Sequence, residues 1–459
     1  MKILFAAAEV DPFSKVGGLA DVAASLPRRL LEMGHDVRIV APCHRAGLTA
    51  HAASPVHTRY TVAGPAGERE VDVALVEGHG GVPVHLVGDS HYFGDREIYG
   101  EQDDLLRYQF FCRAIVEMLK GGEWAPDILH LNDWHTAPLA FALRNLAWGN
   151  PALRGVASVF TIHNLRYRGP DEFNDFLSQA IYYSDIVTTV SPSYAREILT
   201  QEYGEGLEAL LQLRGNAVVG ILNGVNYDIF NPRTDGQVRH PYDLSALEDR
   251  QRNRASLRRE LKLAETAGPV LGMVTRLTEQ KGIDLVLQAV PAFLASDAQL
   301  VVLGEGDRWI KEELTRLQEA HPGHIRLAAR YDEGMAQRIY AGSDMFLMPS
   351  RYEPCGLGQI IAMRYGAIPI GRRTGGLGDT ILDLDEHPEG GTGFLFDEFS
   401  SFGLESAFER ATRAFREPET WLRLQSNAMS RDYSWRASAT HYVEAYIAAL
   451  RARGIVPME

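Results

Sequence analysis

Three cations, a histidine and two carboxylates of this chain stand where apolar runs break into turns, a pattern suited to anionic and hydroxyl-rich ligands. The segment Lys15-Val16-Gly17-Gly18-Leu19-Ala20-Asp21 directly follows the apolar run 3–8. A strand that breaks into a paired-glycine turn carrying a lysine, then opens a helix, offers backbone N–H groups and one positive charge to an anion. Paired glycines also serve ordinary turns and close helix packing, so a phosphate loop and a plain turn both stand here. The segment is neither the Gly-rich dinucleotide fingerprint nor a Walker loop ending in Lys-Ser or Lys-Thr, which points away from dehydrogenases and P-loop ATPases.

Arg276 and Lys281 share the loop 275–282 between an expected strand and helix. An Arg fork and a compact Lys charge at a helix start can clamp a diphosphate; a solvated loop is the other reading. No acidic cluster with magnesium-like spacing lies near, so the expectation is metal-free chemistry, with no metal and no cofactor. Glu353 precedes a tight Pro354-Cys355-Gly356 turn into a helix, which sets a carboxylate beside free helix N–H groups and suits it to hold a sugar hydroxyl. Thr374-Gly375-Gly376 repeats the strand, glycine and helix device. His163 follows the apolar run 160–162, and Asp133-Trp134 follows 128–131. A histidine in that position is either a ligand group or a hydrogen-bonded structural residue; Asp133 can bond sugar hydroxyls, and Trp134 is core or a sugar platform, with core favoured.

These positions require elements to hold them. Residues 2–8, a helix 19–33 and 36–41 make a βαβ unit, and strands at 127–131, 157–162, 186–190 and 218–221 continue a mostly parallel sheet. Strands at 270–274, 299–303, 325–328, 344–348 and 368–370, with helices beginning near 282, 307, 333 and 356, predict a second sheet. The chain therefore reads as α/β, with two doubly wound, Rossmann-like domains facing a deep cleft. The expected boundaries are 1–235 for the first domain, 236–265 for a linker, 266–435 for the second and 436–459 for a terminal helix that packs back on the first. The linker is polar and centred on Arg250-Gln251-Arg252-Asn253-Arg254, and the reading is a solvated connecting helix.

Composition narrows the setting. At 459 residues, with 45% hydrophobic and 23% charged content, the chain has the make-up of a globular protein of two or three domains. A net charge of −14 disfavours nucleic acid and anionic membrane as partners. Cys43, Cys112 and Cys355 have neither zinc-finger spacing nor a disulfide pattern, and no signal-like or membrane-spanning run is evident, so a cytoplasmic setting is expected.

Taken together the motifs resemble one family. Lys-x-Gly-Gly-Leu-Ala-Asp at 15–21, Asn-Asp-Trp-His at 132–135, Thr-Ile-His-Asn at 161–164, Thr-Thr-Val-Ser-Pro-Ser-Tyr-Ala at 188–195, Leu-Asn-Gly-Val at 222–225, Thr-Arg-Leu-Thr-x-Gln-Lys-Gly-x-Asp at 275–284, Glu-Pro-Cys-Gly-Leu at 353–357 and Arg-Arg-Thr-Gly-Gly-Leu at 372–377 are similar to bacterial glycogen synthase and plant starch synthase. The resemblance implies the GT-B fold and transfer of glucose from a nucleotide sugar, ADP-glucose or else UDP-glucose, to an α-1,4-glucan acceptor with retention. It implies that Lys15 holds donor phosphate or sugar and that Gly17 and Gly18 line the diphosphate. His163 then lies beside the transferred glucose, Arg276 and Lys281 neutralise the leaving diphosphate, and Glu353 orients glucose hydroxyls. Tyr331 resembles the residue that stacks on the base. Asp21, Asp133, Asn223, Cys355, Gly356, Leu357, Thr374, Gly375 and Gly376 complete the implied substrate-binding set.

Three departures bear on the acceptor or the ribose. Many related retaining transferases carry a second glutamate where this chain has Ile361, the stretch 168–184 is short, and the loop 94–107 looks trimmed. A transferase with a small-sugar or phosphate acceptor, or a noncatalytic glucan-binding relative, are the alternatives. Retention of all five of Lys15, His163, Arg276, Lys281 and Glu353 favours catalysis. Loop placement further predicts that removing Lys281 depresses turnover far more than thermal stability.

Overall fold

The computed structural model describes residues 1–64, 67–121, 124–169, 175–330 and 332–455. The chain divides into two compact units, Met1–Gly224 with Trp435–Glu459, and Val225–Ser434.

The first unit is built on a nine-stranded sheet in the order β3-β4-β5-β2-β1-β6-β7-β8-β9. Its strands are β1 (Lys2–Ala6), β2 (Asp36–Pro42), β3 (His57–Gly64), β4 (Gly67–Glu77), β5 (Pro83–Gly88), β6 (Ile128–Asn132), β7 (Ala157–Ile162), β8 (Ile186–Thr189) and β9 (Val218–Gly220). The run from β5 through β2 and β1 to β9 is parallel, while β3, β4 and β5 pair antiparallel. The parallel centre is covered on both faces, and β6 and β7 are buried at every position, which accounts for their largely apolar make-up. The terminal helix Trp435–Ala452 belongs to this unit, with Trp435, Tyr442 and Tyr446 in the same core as Ile3, Phe5 and Val159.

The second unit holds a six-stranded, all-parallel sheet, β12-β11-β10-β13-β14-β15. Its strands are β10 (Val270–Val274), β11 (Gln299–Leu303), β12 (Ile325–Ala328), β13 (Met345–Met348), β14 (Ile368–Arg372) and β15 (Phe394–Phe396). Ile361, at the position where related transferases carry a glutamate, is buried in this unit's core.

The segment expected as a solvated linker is instead part of the second unit. Helix Arg250–Glu260 buries Arg250, Asn253, Ser256 and Leu257. Arg250 donates to the carbonyls of Tyr365 and Ser343, Arg254 pairs with buried Asp344 at 3.0 Å, and Arg258 donates to Gln299 and the Gly268 carbonyl. Composition misled because these arginines are spent on buried carbonyls and a carboxylate rather than on water. The β3–β4 hairpin is a second difference: its edge strand β3 is largely exposed and polar, and the short apolar run 73–76 in β4 has no apolar partner run beside it in β3 to mark a hairpin.

Candidate active site

In each sheet the strand order reverses beside the first strand of its unit, at β1/β6 and at β10/β13, and crevices at the carboxyl ends of such strands are where open α/β sheets place ligands. The chemistry-bearing residues collect at these two points.

At β10/β13 two loops are stitched together. Arg351 N donates to Gln280 O at 2.8 Å, and Gln280 Nε2 approaches the Tyr352 carbonyl at 3.4 Å. Between them Lys281 Nζ lies 2.7 Å from Glu353 Oε2, which also accepts from Ser350 Oγ at 2.8 Å. Both charged side chains are largely buried, 15% and 6% exposed, so this is a desolvated pair and not a surface one. Arg276 is exposed, its guanidinium 3.4 Å from Gln280 Oε1. The cations of this loop thus differ: Lys281 is committed to Glu353, while Arg276 extends toward solvent.

Glycines set this geometry by close backbone approach. Gly282 follows Lys281 with φ +67, and a Cβ there would meet the Pro349 carbonyl at 1.9 Å. Cβ atoms at Gly375 and Gly376 would meet the carbonyls of Glu353 and Cys355 at 2.0 and 1.9 Å, and Gly376 N donates to Glu353 O. Thr374, buried at the start of that short helix, and Gly375 and Gly376 therefore support the 353–355 backbone from behind. Gly356 has φ +71, and Gln359 Nε2 donates to the carbonyls of Cys355 and Gly356, fixing the turn ahead of Leu357. Ser350, Gln359 and Arg372, which donates to the carbonyls of Ser350 and Arg351, are site-shaping residues that the motif reading did not assign. A further loop after β11 joins them: Leu277 N donates to Glu305 O, and Asp307 N to Leu277 O, each at 2.7 Å. Its only sequence signal is Gly304-Glu305-Gly306 after a strand.

At β1/β6 the expected anion loop holds a carboxylate of the chain itself. Buried Glu9 accepts from Val16 N at 2.6 Å and Gly17 N at 3.0 Å. Two N–H groups read as open to a ligand are therefore occupied, because a buried carboxylate needs donors and the turn supplies them. Burial raises the Glu9 carboxyl above its ordinary range, and Tyr99, from the trimmed loop, hydrogen-bonds to it. That loop is held by buried Arg107, which donates to the Tyr92 and Glu97 carbonyls and pairs with Asp104. Lys15 Nζ lies 2.6 Å from Asp21 Oδ1, both about half exposed, and nothing lies within 4 Å of where a Gly18 Cβ would be.

Asp133 leaves β6 with φ +52 and accepts from His163 N at 2.8 Å. Burial pushes its carboxyl up to about 7. Burial also lowers the His163 imidazole to about 4, so the ring is neutral. Asn132 Nδ2 donates to the Ala6 carbonyl, which turns Oδ1 toward His163 Nε2 at 2.9 Å. A neutral ring facing an acceptor carries its proton on Nε2, leaving Nδ1 as an acceptor. Asn132 is the positioning residue here, inside a motif but not singled out. Trp134 is buried and packs edge-on against Tyr108, the core role favoured from sequence. Asn223 is buried with Oδ1 unpartnered, a polar atom available to a ligand hydroxyl. Tyr331 lies outside the described residues.

The structure thus brings Lys281, Glu353, Cys355, Gly356, Thr374, Gly375 and Gly376 into one cluster. It brings Asp133 to His163 in another, and Lys15 to Asp21 beside Gly17 and Glu9. A desolvated Lys–Glu pair beside an exposed Arg can meet a group whose charge grows during reaction; a neutral imidazole beside a carboxyl poised near 7 can meet hydroxyls.

Comparison with known proteins bears on the chemistry. Residues 2–213 match the family model described as the starch synthase catalytic domain, and residues 268–411 that of glycosyl transferases group 1. A glycogen synthase of Gloeobacter violaceus is 43% identical, covering 97% of this chain and 98% of its own, and one of Desulforudis audaxviator is 40% identical over 97% and 96%. The solved catalytic domain of starch synthase IV from Arabidopsis thaliana, bound to ADP and acarbose, superposes with a TM-score of 0.89 at 34% identity, covering 98% of this chain and 99% of that one. Sucrose-phosphate synthase from Thermosynechococcus elongatus, at 19% identity and a TM-score of 0.66, shares the fold.

Proposed function

The chain belongs to the glycogen and starch synthase family, with the GT-B fold, and from that membership we propose that it transfers glucose from ADP-glucose to the 4-hydroxyl at the non-reducing end of an α-1,4-glucan with retention of configuration. The observation that carries the chemical part is the Lys281–Glu353–Ser350 cluster at the carboxyl ends of β10 and β13.

Breaking the glycosyl–phosphate bond leaves its electron pair on the nucleoside diphosphate and positive charge on the sugar. Arg276 and Lys281 neutralise the departing diphosphate, and Glu353, held by Lys281 and Ser350, orients glucose hydroxyls. Lys15 contributes its ammonium to donor phosphate; with two loop N–H groups engaged by Glu9, that charge is the larger part of the loop's contribution. His163, neutral with Nδ1 as acceptor, lies beside the transferred glucose, and Asp133 and Asn223 bind sugar hydroxyls. Attack on the same face as the leaving group lets the acceptor hydroxyl pass its proton to the departing phosphate oxygen as the new glycosidic bond forms. Among the described residues no helix is long and apolar enough to cross a membrane, and Cys43, Cys112 and Cys355 are buried and outside any disulfide; with the similarity to bacterial glycogen synthases, we place the protein in the cytoplasm.

The test is nucleoside-diphosphate release from ADP-glucose and, separately, UDP-glucose, with glycogen, maltotriose or no acceptor, while the labelled product is sized. Glycogen-dependent ADP release with chain lengthening is expected. Release only with a small acceptor moves the protein to a neighbouring transferase activity, and no release under any combination overturns the reading.

A further inference from the structure

The β3–β4 hairpin lies at the edge of the first unit's sheet, with β5 and β2 between it and β1, and pairs in the register His57↔Ala74 and Arg59↔Asp72. Opposed residues of an antiparallel pair share a face, and so do positions two apart along each strand, so His57 and Asp72 stand diagonally on one face. Helix Leu48–Ala53 sets His51 against them. His57 Nδ1 lies 2.7 Å from Asp72 Oδ2, and His51 Nε2 lies 3.8 Å from the same oxygen. The two imidazole centroids are 5.2 Å apart, and one ligand atom from each of the three side chains falls within 4.8 Å of the others.

We propose that His51, His57 and Asp72 bind a divalent transition-metal ion of the zinc class, with solvent completing the coordination, and that the ion clips the helix to the hairpin. Two imidazoles and one carboxylate suit zinc, cobalt or nickel, whereas magnesium and calcium call for oxygen donors throughout. Bonds of about 2.0–2.1 Å in a tetrahedral shell put ligand atoms about 3.3 Å apart. The His57–Asp72 distance therefore opens, and the His51–Asp72 distance closes, by about half an ångström, within reach of small side-chain rotations.

Three further observations support a built site. The short connection between the histidines is pinned to β4, with Ser54 Oγ donating to the Leu75 carbonyl at 2.7 Å and Leu75 N to the Val56 carbonyl at 3.0 Å, so both imidazoles are preorganised. Gly88 leaves room for His51, since a Cβ there would meet Nε2 at 2.5 Å. Asp72 Oδ1 is buried without a hydrogen-bond partner, and Arg59, its direct cross-strand neighbour, forms no ion pair with it. A dication would supply the missing positive charge. His51 Nε2 faces the Asp72 carbonyl at 3.1 Å. Ligation shifts the ring proton to Nδ1 and exchanges that hydrogen bond for the metal.

The experiment uses the full-length protein, stripped with a chelator and dialysed against Zn²⁺ or Co²⁺, with bound metal counted, the visible spectrum of the cobalt form recorded and the thermal midpoint measured. A single saturable equivalent, an intense tetrahedral-type cobalt band and a raised midpoint are expected. Loss of one outer-shell partner alone lowers metal affinity about 10–100-fold, so His57→Ala and Asp72→Asn, each deleting a direct ligand, should weaken binding at least tenfold. Arg59→Ala should bind as the parent does, and glucosyl transfer should be the same with and without the ion. His57 is exposed, so its substitution leaves the fold intact. Equal affinity in the parent and both ligand variants, or no saturable binding by the parent, overturns the proposal and leaves an ordinary His–Asp hydrogen bond.

Discussion

Lys281 and Glu353 are 72 residues apart in sequence and 2.7 Å apart in space, and that contact changes what a substitution at either position means. From loop placement alone Lys281→Ala is an activity variant with little effect on stability. With Glu353 buried and paired, it also leaves a carboxylate without its countercharge. Breaking such a pair costs about 3–5 kcal/mol, and the low end applies because Ser350 still donates to the same oxygen. The expected outcome for Lys281→Ala is therefore a turnover loss of about 10²–10³-fold together with a clear drop in thermal midpoint. Combining it with Glu353→Gln removes the orphaned charge, so the midpoint should recover while turnover does not; recovery of both would make Lys281 a purely structural residue. Asp133 supports a second test. Its carboxyl, pushed up to about 7 by burial, is protonated below that pH and ionised above it. If the charge favours a positively charged sugar in the transition state, kcat/KM rises with pH through about 7, and Asp133→Asn, which keeps an acceptor for His163 N, flattens that limb. A limb unchanged in the variant would assign the ionisation elsewhere.

At the scale of elements, what was legible in the sequence divides by how each element is buried. Strands β7, β10 and β11 begin and end where the sequence places them, because a strand covered on both faces has few polar positions to blur its limits. The β3–β4 hairpin escaped because its edge is exposed, and helix Arg250–Glu260 was misplaced because its arginines find buried carbonyls and Asp344. In the candidate site, the loops themselves could be read from their glycines and charges. Which loops touch could not, because sheet order brings 276–281 against 350–353, and because Glu9 and Asn132 act through backbone and ring contacts that no motif spells out. Gly376 tests this element-level reading. It looks like a ligand cradle in sequence, but in the structure its missing Cβ makes room for the Cys355 carbonyl at 1.9 Å. Gly376→Ala should displace the 353–355 backbone, costing about 1–3 kcal/mol of stability as overpacking does, and should lower kcat through a misplaced Glu353. A variant with parental stability and only weakened donor binding would return Gly376 to the ligand side.

The chain leaves its first unit at Gly224 and re-enters it at Trp435, so the stability of that unit depends on residues at both ends of the molecule. The link is polar as well as apolar: Tyr446 lies 2.8 Å from His130 Nδ1, whose Nε2 meets Thr161 Oγ1 at 2.7 Å, and Thr161 meets Thr188 at 2.6 Å. Tyr446→Phe should leave His130 short of one partner and cost about 1–3 kcal/mol. The same histidine belongs to a set that governs the response of the whole molecule to acid. Burial lowers His130 and His135 to about 3 and His44, His85 and His163 to about 4, all in the first unit. In the unfolded chain these imidazoles take protons near their ordinary 6.5, so between about 6.5 and 4 the unfolded state binds more protons than the native state and stability falls as pH falls. Glu9 and Asp133 act in the opposite sense, since their raised carboxyls hold protons in the folded state, but they are outnumbered. Each net proton is worth about 1.4 kcal/mol per pH unit. Thermal midpoints measured across this range should therefore drop steeply below about 6.5, with the first unit melting ahead of the second. Fluorescence can separate the two, since Trp134 and Trp435 report on the first unit and Trp309 and Trp421 on the second. A midpoint that stays level down to pH 5 would mean that the buried imidazoles take up protons in the folded protein, and the neutral His163 on which the sugar-side chemistry rests would have to be abandoned with them.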